Sequence, residues 1–320
     1  MEIEYEGLNF ELDKIDRCAA VIKGNYTGDI TIPDTVIYEG VEYYVSAISE
    51  SAFEGAVGLL SLKTPASMRA IGARAFKGCT ALHTVELSDN ILIIGCETFN
   101  GCIAIERIVL PRNLVGIEAS LFEGCTALVE VVIGDNIDGV GEYAFCGCSS
   151  LASISLPEGL KYIDSWAFRS CTSLVSVSIP DTVVSLKKGL FWDCASFRDF
   201  VLPAGVNIVE QGLFAKCVSL KRVDIHEGVL SIGYGAFYYC PALEEIVLPS
   251  TLQSVEEQVF WGCSSLKKLT VCSETAPMCS RNIADDRVYA GCVLYVPAGC
   301  VGEYGFARVW NKFDNVEEIQ

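Results

Sequence analysis

The chain has 320 residues, of which 51% are hydrophobic and 20% charged, and its 41 acidic and 23 basic side chains give a formal net charge of -18. The apolar fraction is enough for a folded core, and the acidic excess argues against binding to nucleic acid or to anionic lipid surfaces. No stretch reaches the roughly 18 uninterrupted apolar residues that a membrane helix needs. The first ten residues carry three glutamates instead of a basic and then apolar signal segment.

The acidic excess is concentrated at the start of the chain. Residues 1–50 contain eleven acidic and three basic side chains, a net charge of -8. We predict that this segment is an N-terminal cap with an opening unit. Its charge opposes end-to-end stacking with a second chain.

A strict repeat follows the cap. Ten phenylalanines recur every 23 residues without insertion or deletion, and from the second onward a cysteine stands three residues after each one. The phenylalanines are Phe53, Phe76, Phe99, Phe122, Phe145, Phe168, Phe191, Phe214, Phe237 and Phe260. The cysteines are Cys79, Cys102, Cys125, Cys148, Cys171, Cys194, Cys217, Cys240 and Cys263. A fixed period of this length predicts a stack of similar units rather than two ordinary domains.

The spacing within one unit predicts its local structure. Apolar residues nine and eleven after each Phe, such as Val85 and Leu87, alternate as in a short strand, and a proline often ends that strand. The stretch around the Phe suits a helical turn or short helix with the Phe and the Cys on its inner side. Because 23 residues cannot close a core alone, we expect successive units to stack into a solenoid over residues 51–272.

The final segment, 273–320, is predicted to be a C-terminal cap. An open solenoid exposes its last core layer, and this segment offers aromatic residues to cover it. They are Tyr295, Tyr304, Phe306, Trp310 and Phe313.

The repeat also resembles a known family. The pattern I-G-x-x-A-F-x-G-C-x-x-L-x-x-I-x-L-P is nearly whole from Ile71 to Leu87 and again around Val140 to Leu160. It looks like the BspA-like, or Treponema pallidum type, leucine-rich repeats of Bacteroides-like bacteria. The resemblance implies an α/β fold: a right-handed leucine-rich-repeat solenoid of 23-residue units, with a curved parallel sheet on the concave face and short helical turns opposite. It also implies secretion or surface display and binding of host or microbial macromolecules, and it does not imply an enzyme.

Nine of the sixteen cysteines are explained by one repeat position. A thiol beside an inward Phe acts as a small buried hydrophobic group, and a ladder of disulfides could not pair an odd number of them completely. Four others lie close together in the sequence, namely Cys272, Cys279, Cys292 and Cys300. Their spacing does not match a structural zinc site, and disulfides among them are left open.

Little in the sequence points to catalysis. The two histidines, His83 and His226, occupy a loop position and a strand-ending position, and no nucleophile, base and orienting acid share a register. The phosphate-binding and metalloprotease motifs are missing as well. We therefore predict no enzyme activity, no cofactor and no metal.

The first candidate binding surface lies on the strands. Side chains eight and ten residues after each Phe are predicted to point outward, and in the middle repeats they are small and neutral. The candidate residues are Ser153, Ser155, Ser176, Ser178, Val132 and Val201. They predict a flat floor for a protein or glycan ligand, and the alternative is that serine and valine simply suit strands.

A second candidate surface lies on the opposite side. One residue after the Phe, where early repeats have charges, later repeats have the aromatics Trp192, Tyr238 and Trp261. Such residues are typical of an interaction or self-association patch. Packing against neighbouring loops is the alternative.

Together these observations predict a noncatalytic module that binds proteins or glycans, as an adhesin-like protein at the cell surface or outside the cell. The alternative is a structural or intracellular scaffold. Unpaired cysteines suit a reducing compartment at least as well as an oxidising one, so a cytoplasmic location remains compatible with the sequence.

Overall fold

The computed structural model describes residues 1–320 as two compact units, Met1–Leu160 and Lys161–Gln320. The first unit contains the strands β1 Glu2–Tyr5, β2 Leu8–Asp13, β3 Cys18–Val21, β4 Gly28–Thr31, β5 Thr35–Tyr38, β6 Val41–Ile48, β7 Leu59–Lys63, β8 Ala70–Ile71, β9 Thr84–Glu86, β10 Ile93–Ile94, β11 Arg107–Val109, β12 Gly116–Ile117, β13 Glu130–Val132 and β14 Gly139–Val140. The second unit contains β15 Tyr162–Ile163, β16 Asp199–Val201, β17 Ile208–Val209, β18 Arg222–Asp224, β19 Ser231–Ile232, β20 Glu245–Leu248, β21 Ser254–Val255, β22 Lys268–Val271, the helix α1 Asp286–Gly291, β23 Val293–Val296, the helix α2 Val301–Phe306, a 3-10 turn at Trp310–Lys312 and β24 Asn315–Glu318.

The start of the first unit differs from the repeats. Strands β1, β2 and β3 form an antiparallel meander, β5 and β6 form an antiparallel hairpin, and β3 and β6 join the two in parallel. The predicted division into 1–50, 51–272 and 273–320 follows the sequence pattern rather than these two compact units, and it stays a prediction.

The remaining strands pair in parallel, and within the Phe repeats the partners are 23 residues apart, as in Ser61 with Thr84 and Asp199 with Arg222. The offset differs only at the two ends, where Asp29 pairs with Ser61, Lys268 with Val293 and Val293 with Asn315. Each unit is therefore a parallel-strand solenoid of 23-residue turns. The longer strands of successive turns pair with one another as a first ladder, to which a turn contributes one strand. A second ladder, which the sequence reading did not anticipate, consists of two-residue strands such as β8 with β10 and β19 with β21.

The Phe segments are hydrogen-bonded turns and not the predicted helical turns. The Cys79 amide donates to the Phe76 carbonyl at 3.1 Å, but the Phe76 amide donates to Thr98 in the next turn of the solenoid at 2.9 Å. Arg74 and Gly78 adopt left-handed φ angles of 56° and 71° on either side of Phe76. Because alternate amides bond to the neighbouring turn and the backbone reverses twice, a regular helix cannot propagate here. The structure's only α-helices are α1 and α2.

The phenylalanines and cysteines form the centre of each unit. Ring centroids of successive phenylalanines lie 5.0 to 5.7 Å apart between Phe53 and Phe145, and 5.5 to 5.9 Å apart between Phe168 and Phe260. All ten are buried, as are the nine repeat cysteines. The thiol of Cys79 donates to the Phe53 carbonyl at 3.0 Å, and the same bond recurs down the column. The prediction that this column holds buried free thiols is confirmed.

The pattern continues past the ten phenylalanines at both ends. Tyr26 packs its ring 4.5 Å from that of Phe53, and Ile283 takes the Phe position after Phe260, whose amide donates to the Ile283 carbonyl at 2.7 Å. Strands β23 and β24 then extend the long-strand ladder in parallel.

Three of the five closing aromatics behave as predicted, whereas Tyr295 is only half-buried on β23 and Phe306 is exposed. Tyr304, Trp310 and Phe313 are buried against the preceding turns. The expectation for Phe306 is wrong, because its side chain is 92% exposed at the end of α2 and covers nothing.

Candidate functional site

The outward side chains of the long strands form a surface that we call the strand face. In the first unit it carries Val109 and Val132, which pair across β11 and β13 and are 43% and 37% exposed. Arg107 and Glu130, two residues earlier on the same strands, form an exposed ion pair at 2.8 Å. The two valines are therefore accessible apolar groups, and the charged side chains beside them neutralise each other in an ion pair.

The four predicted serines are all exposed but belong to different units. Ser153 and Ser155 are in the first unit, Ser176 and Ser178 are in the second, and all four lie outside the named strands. Within the second unit, the Arg198 amide donates to the Val175 carbonyl at 3.1 Å, so the serine segment lies one turn before β16. A continuous serine floor remains a prediction.

The second unit has the more pronounced strand face. Val201 is 69% exposed and Val247 is 50% exposed, and Asp224 lies between them in the register of the repeat. These three residues, with Arg222, Glu245 and His226, line an open depression of about 420 Å³. Sequence reasoning selected Val201 but not Val247, although both occupy the same repeat position.

Electrostatics in this depression centre on Arg222. Its Nε atom lies 2.7 Å from Oδ1 of Asp224. That hydrogen bond, with the weaker attraction of Asp199 and Glu245, raises the pKa of the Arg222 guanidinium. The arginine therefore stays cationic at any physiological pH and keeps its ion pair with Asp224.

The two histidines differ in their surroundings, since His226 lines the depression on the strand face and His83 does not. His83 is exposed and its Nδ1 lies 3.0 Å from Oγ1 of Thr84. His226 places Nε2 3.0 Å from the Pro203 carbonyl and Nδ1 beside the carbonyl of Glu227. Both rings serve local hydrogen bonding.

The cysteines of the closing segment are separate thiols. Cys272, Cys279, Cys292 and Cys300 form no disulfide. No group of three or more His, Cys, Asp or Glu side chains is arranged to hold a metal ion. Burial raises the pKa of Cys279 and of Cys292 to about 12, so these two thiols are protonated and unreactive at neutral pH.

The predicted aromatic patch lies on what we call the turn side, around the Phe turns of the second unit. Trp192, Tyr238 and Trp261 are half-buried. The ring of Trp192 packs edge-on against that of Trp166, with centroids 5.6 Å apart. Sequence reasoning missed Trp166 because it stands two residues before its Phe, where the following turns have glycine.

Those glycines explain the packing of the indoles. A Cβ atom added to Gly189 would lie 2.0 Å from the Trp166 ring, and one added to Gly212 would lie 2.8 Å from the Trp192 ring. Each indole therefore rests on the backbone of the next turn. Part of the predicted patch is thus held by local packing, and its role in association stays a prediction.

No helix in the structure has the length and apolar character needed to span a bilayer.

Comparison with known proteins identifies the repeat. A family model for the BspA type leucine rich repeat region (6 copies) matches residues 46–175 and 138–267, more than half of the chain. A comparison with curated protein sequences found no match.

Several solved structures have the same fold. A leucine-rich repeat protein from Bacteroides ovatus is 22% identical with a TM-score of 0.53, covering 99% of this chain and 100% of its own. A leucine rich cell surface protein from Faecalibacterium prausnitzii is 20% identical with a TM-score of 0.55, covering 100% and 95%. The pneumococcal vaccine antigen PcpA is 17% identical with a TM-score of 0.65, covering 100% and 99%.

At sequence identities of 17 to 22%, the solved structures establish the fold alone. Membership of the family rests instead on the match of the sequence to the family model of the repeat region. A leucine-rich repeat family suggests a protein-binding repeat module. The chain belongs to the BspA type leucine-rich repeat family.

Proposed function

We propose that this protein is a noncatalytic protein-binding module whose strand face receives the partner. The observation that carries the proposal is the exposure of Val201 and Val247 on either side of Asp224, in the depression of about 420 Å³. Exposed apolar side chains beside a few fixed charges are typical of protein interfaces, where the apolar groups give affinity and the charges give orientation.

The rest of the proposed surface is small and neutral. It comprises Ser153, Ser155 and Val132 in the first unit and Ser176, Ser178 and Val201 in the second. Short side chains leave the backbone of the strands open to a flat partner. A protein fits the valines better than a glycan does, because burial of valine needs apolar surface on the partner.

Charged substitutions on the strand face test this proposal. The double variant Val201→Glu/Val247→Glu is compared with Val184→Glu/Val218→Glu, whose valines are equally exposed in the second unit but lie outside the strands. Wild type and both variants are labelled and applied to protein and glycan arrays.

We expect wild type and the Val184/Val218 variant to share a set of bound proteins that the strand-face variant loses. Signals that both variants lose or keep equally would contradict the use of this face. If binding is seen only on the glycan array, the ligand is a glycan and the proposal of a protein partner is wrong.

We further propose that the protein acts at the cell surface or outside the cell, in an adhesin-like role. A structural relative from Faecalibacterium prausnitzii is described as a cell surface protein, and this supports the location by analogy only. Protease shaving of intact producing cells tests the location. Protection of the protein until lysis would contradict it.

An intracellular scaffold is the second candidate, and the free thiols favour it. Many cysteines that form no disulfide are typical of a reducing compartment. The same shaving experiment separates the two candidates, because only a surface protein is cleaved on intact cells.

A further inference from the structure

The turn side of the second unit brings cations onto the indoles. The guanidinium carbon of Arg169 lies 5.4 Å from the ring centroid of Trp166, and Nζ of Lys216 lies 5.8 Å from that of Trp192. The Trp166 amide donates to the Lys188 carbonyl at 3.1 Å, so Lys188 lies in the turn alongside. We call these five residues the indole–cation cluster.

The cations of this cluster have no carboxylate partner. Arg169, Lys188 and Lys216 are exposed, and none lies within 4.0 Å of an Asp or Glu oxygen. The nearby acid Asp193 accepts a hydrogen bond from Oγ of Ser170 at 3.1 Å and forms no ion pair with these three cations. In a chain with 41 acidic and 23 basic side chains, three adjacent unpaired cations form an unusual positive surface.

The geometry argues against a sugar as the natural occupant. A pyranose ring stacks on an open aromatic face. Here the indoles rest on Gly189 and Gly212, and Arg169 and Lys216 lie over their rings. The surface therefore presents charges and indole edges, not bare ring faces.

The indole nitrogen adds a further donor. Nε1 of Trp192 has no hydrogen-bond acceptor within the chain, and its side chain is only half-buried. Three cations and a free indole N–H together call for a partner rich in anionic oxygen atoms. Nucleic acid meets that description but is repelled by the net charge of -18.

We propose that the indole–cation cluster is a second binding surface, and that its occupant is an acidic segment of a partner protein whose Glu or Asp carboxylates pair with Arg169, Lys188 and Lys216. Tryptophan and arginine are the residues that most often dominate the energetics of protein interfaces. The indole–cation cluster is separate from the strand face, so the test of this second binding surface does not depend on the function proposed above.

The probe for this surface is a fluorescein-labelled peptide built from repeated Glu-Glu-Leu-Gly units, with a Gln-Gln-Leu-Gly peptide as its neutral counterpart. Binding to the full chain is measured by fluorescence anisotropy at low ionic strength, where exposed charge pairs are least screened. The variant Arg169→Gln/Lys188→Gln/Lys216→Gln is compared with Arg198→Gln/Lys221→Gln/Lys267→Gln, which removes the same charge from exposed positions beside the long strands.

We expect the acidic peptide to bind wild type and the Arg198/Lys221/Lys267 variant alike, and the cluster variant to bind it about tenfold more weakly or worse. Equal weakening in both variants would show only a general effect of net charge and overturn the proposal. So would equal binding of the neutral peptide, or binding of a heparin oligosaccharide in place of the acidic peptide. Circular dichroism checks that each variant is folded, and the single charge reversal Lys216→Glu replaces the triple variant if that chain unfolds.

Discussion

Alkaline pH is expected to unfold this protein through its buried thiols. Burial raises the pKa of Cys79, Cys125 and Cys263 to about 12, as it does for Cys279 and Cys292, from an ordinary value of 9.0. The same cause holds the pKa of three more thiols well above that value. They are Cys102, Cys217 and Cys240.

The sign of the effect follows from which state keeps its protons. Above pH 9 the thiols of the unfolded chain ionise, whereas in the folded chain the five thiols with a pKa of about 12 stay neutral until near that pH. The stability that depends on neutral thiols is therefore complete below pH 9 and is lost as the pH rises toward 12. At pH 10 the loss is about 1 to 2 kcal/mol for each thiol whose pKa is raised to about 12, or roughly 7 kcal/mol for these five, which is comparable with the whole free energy of unfolding of a typical protein.

Urea unfolding followed by circular dichroism at pH 7 and pH 10, with a phosphine reductant present, measures this loss. The double variant Cys79→Ser/Cys125→Ser cannot ionise at two of these sites, so its free energy of unfolding should fall by about 3 kcal/mol less than that of wild type between the two pH values. The two serine hydroxyls are buried at a cost in stability that is the same at both pH values, so this cost cancels when the change between pH 7 and pH 10 is compared. The control is Cys18→Ser/Cys96→Ser, at half-exposed positions. The reasoning would be refuted if wild type were as stable at pH 10 as at pH 7, or if the buried and half-exposed variants behaved alike.

Two further predictions concern one turn of the first unit. Phe122→Ala should cost about 3 to 5 kcal/mol in urea unfolding, because the side chain is fully buried between Phe99 and Phe145; a loss below about 1 kcal/mol would mean that the column is not tightly packed. Ser120 and Gly124 flank Phe122 with left-handed φ angles of 54° and 75°, so Ser120→Gly should stabilise by a few tenths to about 1 kcal/mol and Gly124→Ala should destabilise by about 1 to 2 kcal/mol. A new Cβ at Gly124 would meet its nearest neighbour at 3.8 Å, so the alanine causes no steric clash and any loss of stability comes from the left-handed backbone. An unchanged thermal midpoint in the Gly124→Ala variant would therefore contradict the account of backbone strain.

The spacing of Phe and Cys was sufficient to predict the stacking of 23-residue turns, because both residue types point inward at fixed positions and their burial leaves few alternatives. The same spacing could not predict the form of the Phe turn. Apolar residues at offsets zero, three and six fit a helix and also fit the observed turn. What decides between them is the bonding of alternate amides to the next turn, which no single unit contains.

The candidate surfaces were predictable to different degrees. Val132 and Val201 follow from strand alternation, since the side chain between two inward positions must point outward. Trp166 could not be linked to Trp192 by that logic, because they occupy different repeat positions and meet only where Gly189 leaves room for an indole. A glycine replacing a larger residue in a repeat column is the signal that would have revealed the contact.

The closing segment offers a final test of how the last turn is held. The indole nitrogen of Trp310 donates to the Pro277 carbonyl at 2.7 Å, and the side chain is completely buried. Trp310→Phe keeps the apolar contact but leaves that carbonyl without its strong donor, which should cost about 1 to 3 kcal/mol in urea unfolding. The matched control is Phe306→Ser, which removes an exposed aromatic from the same segment and should leave the unfolding midpoint unchanged. Equal midpoints for the two variants would mean that Trp310 acts only as apolar cover, and the hydrogen bond to Pro277 would then have no role in holding the segment in place.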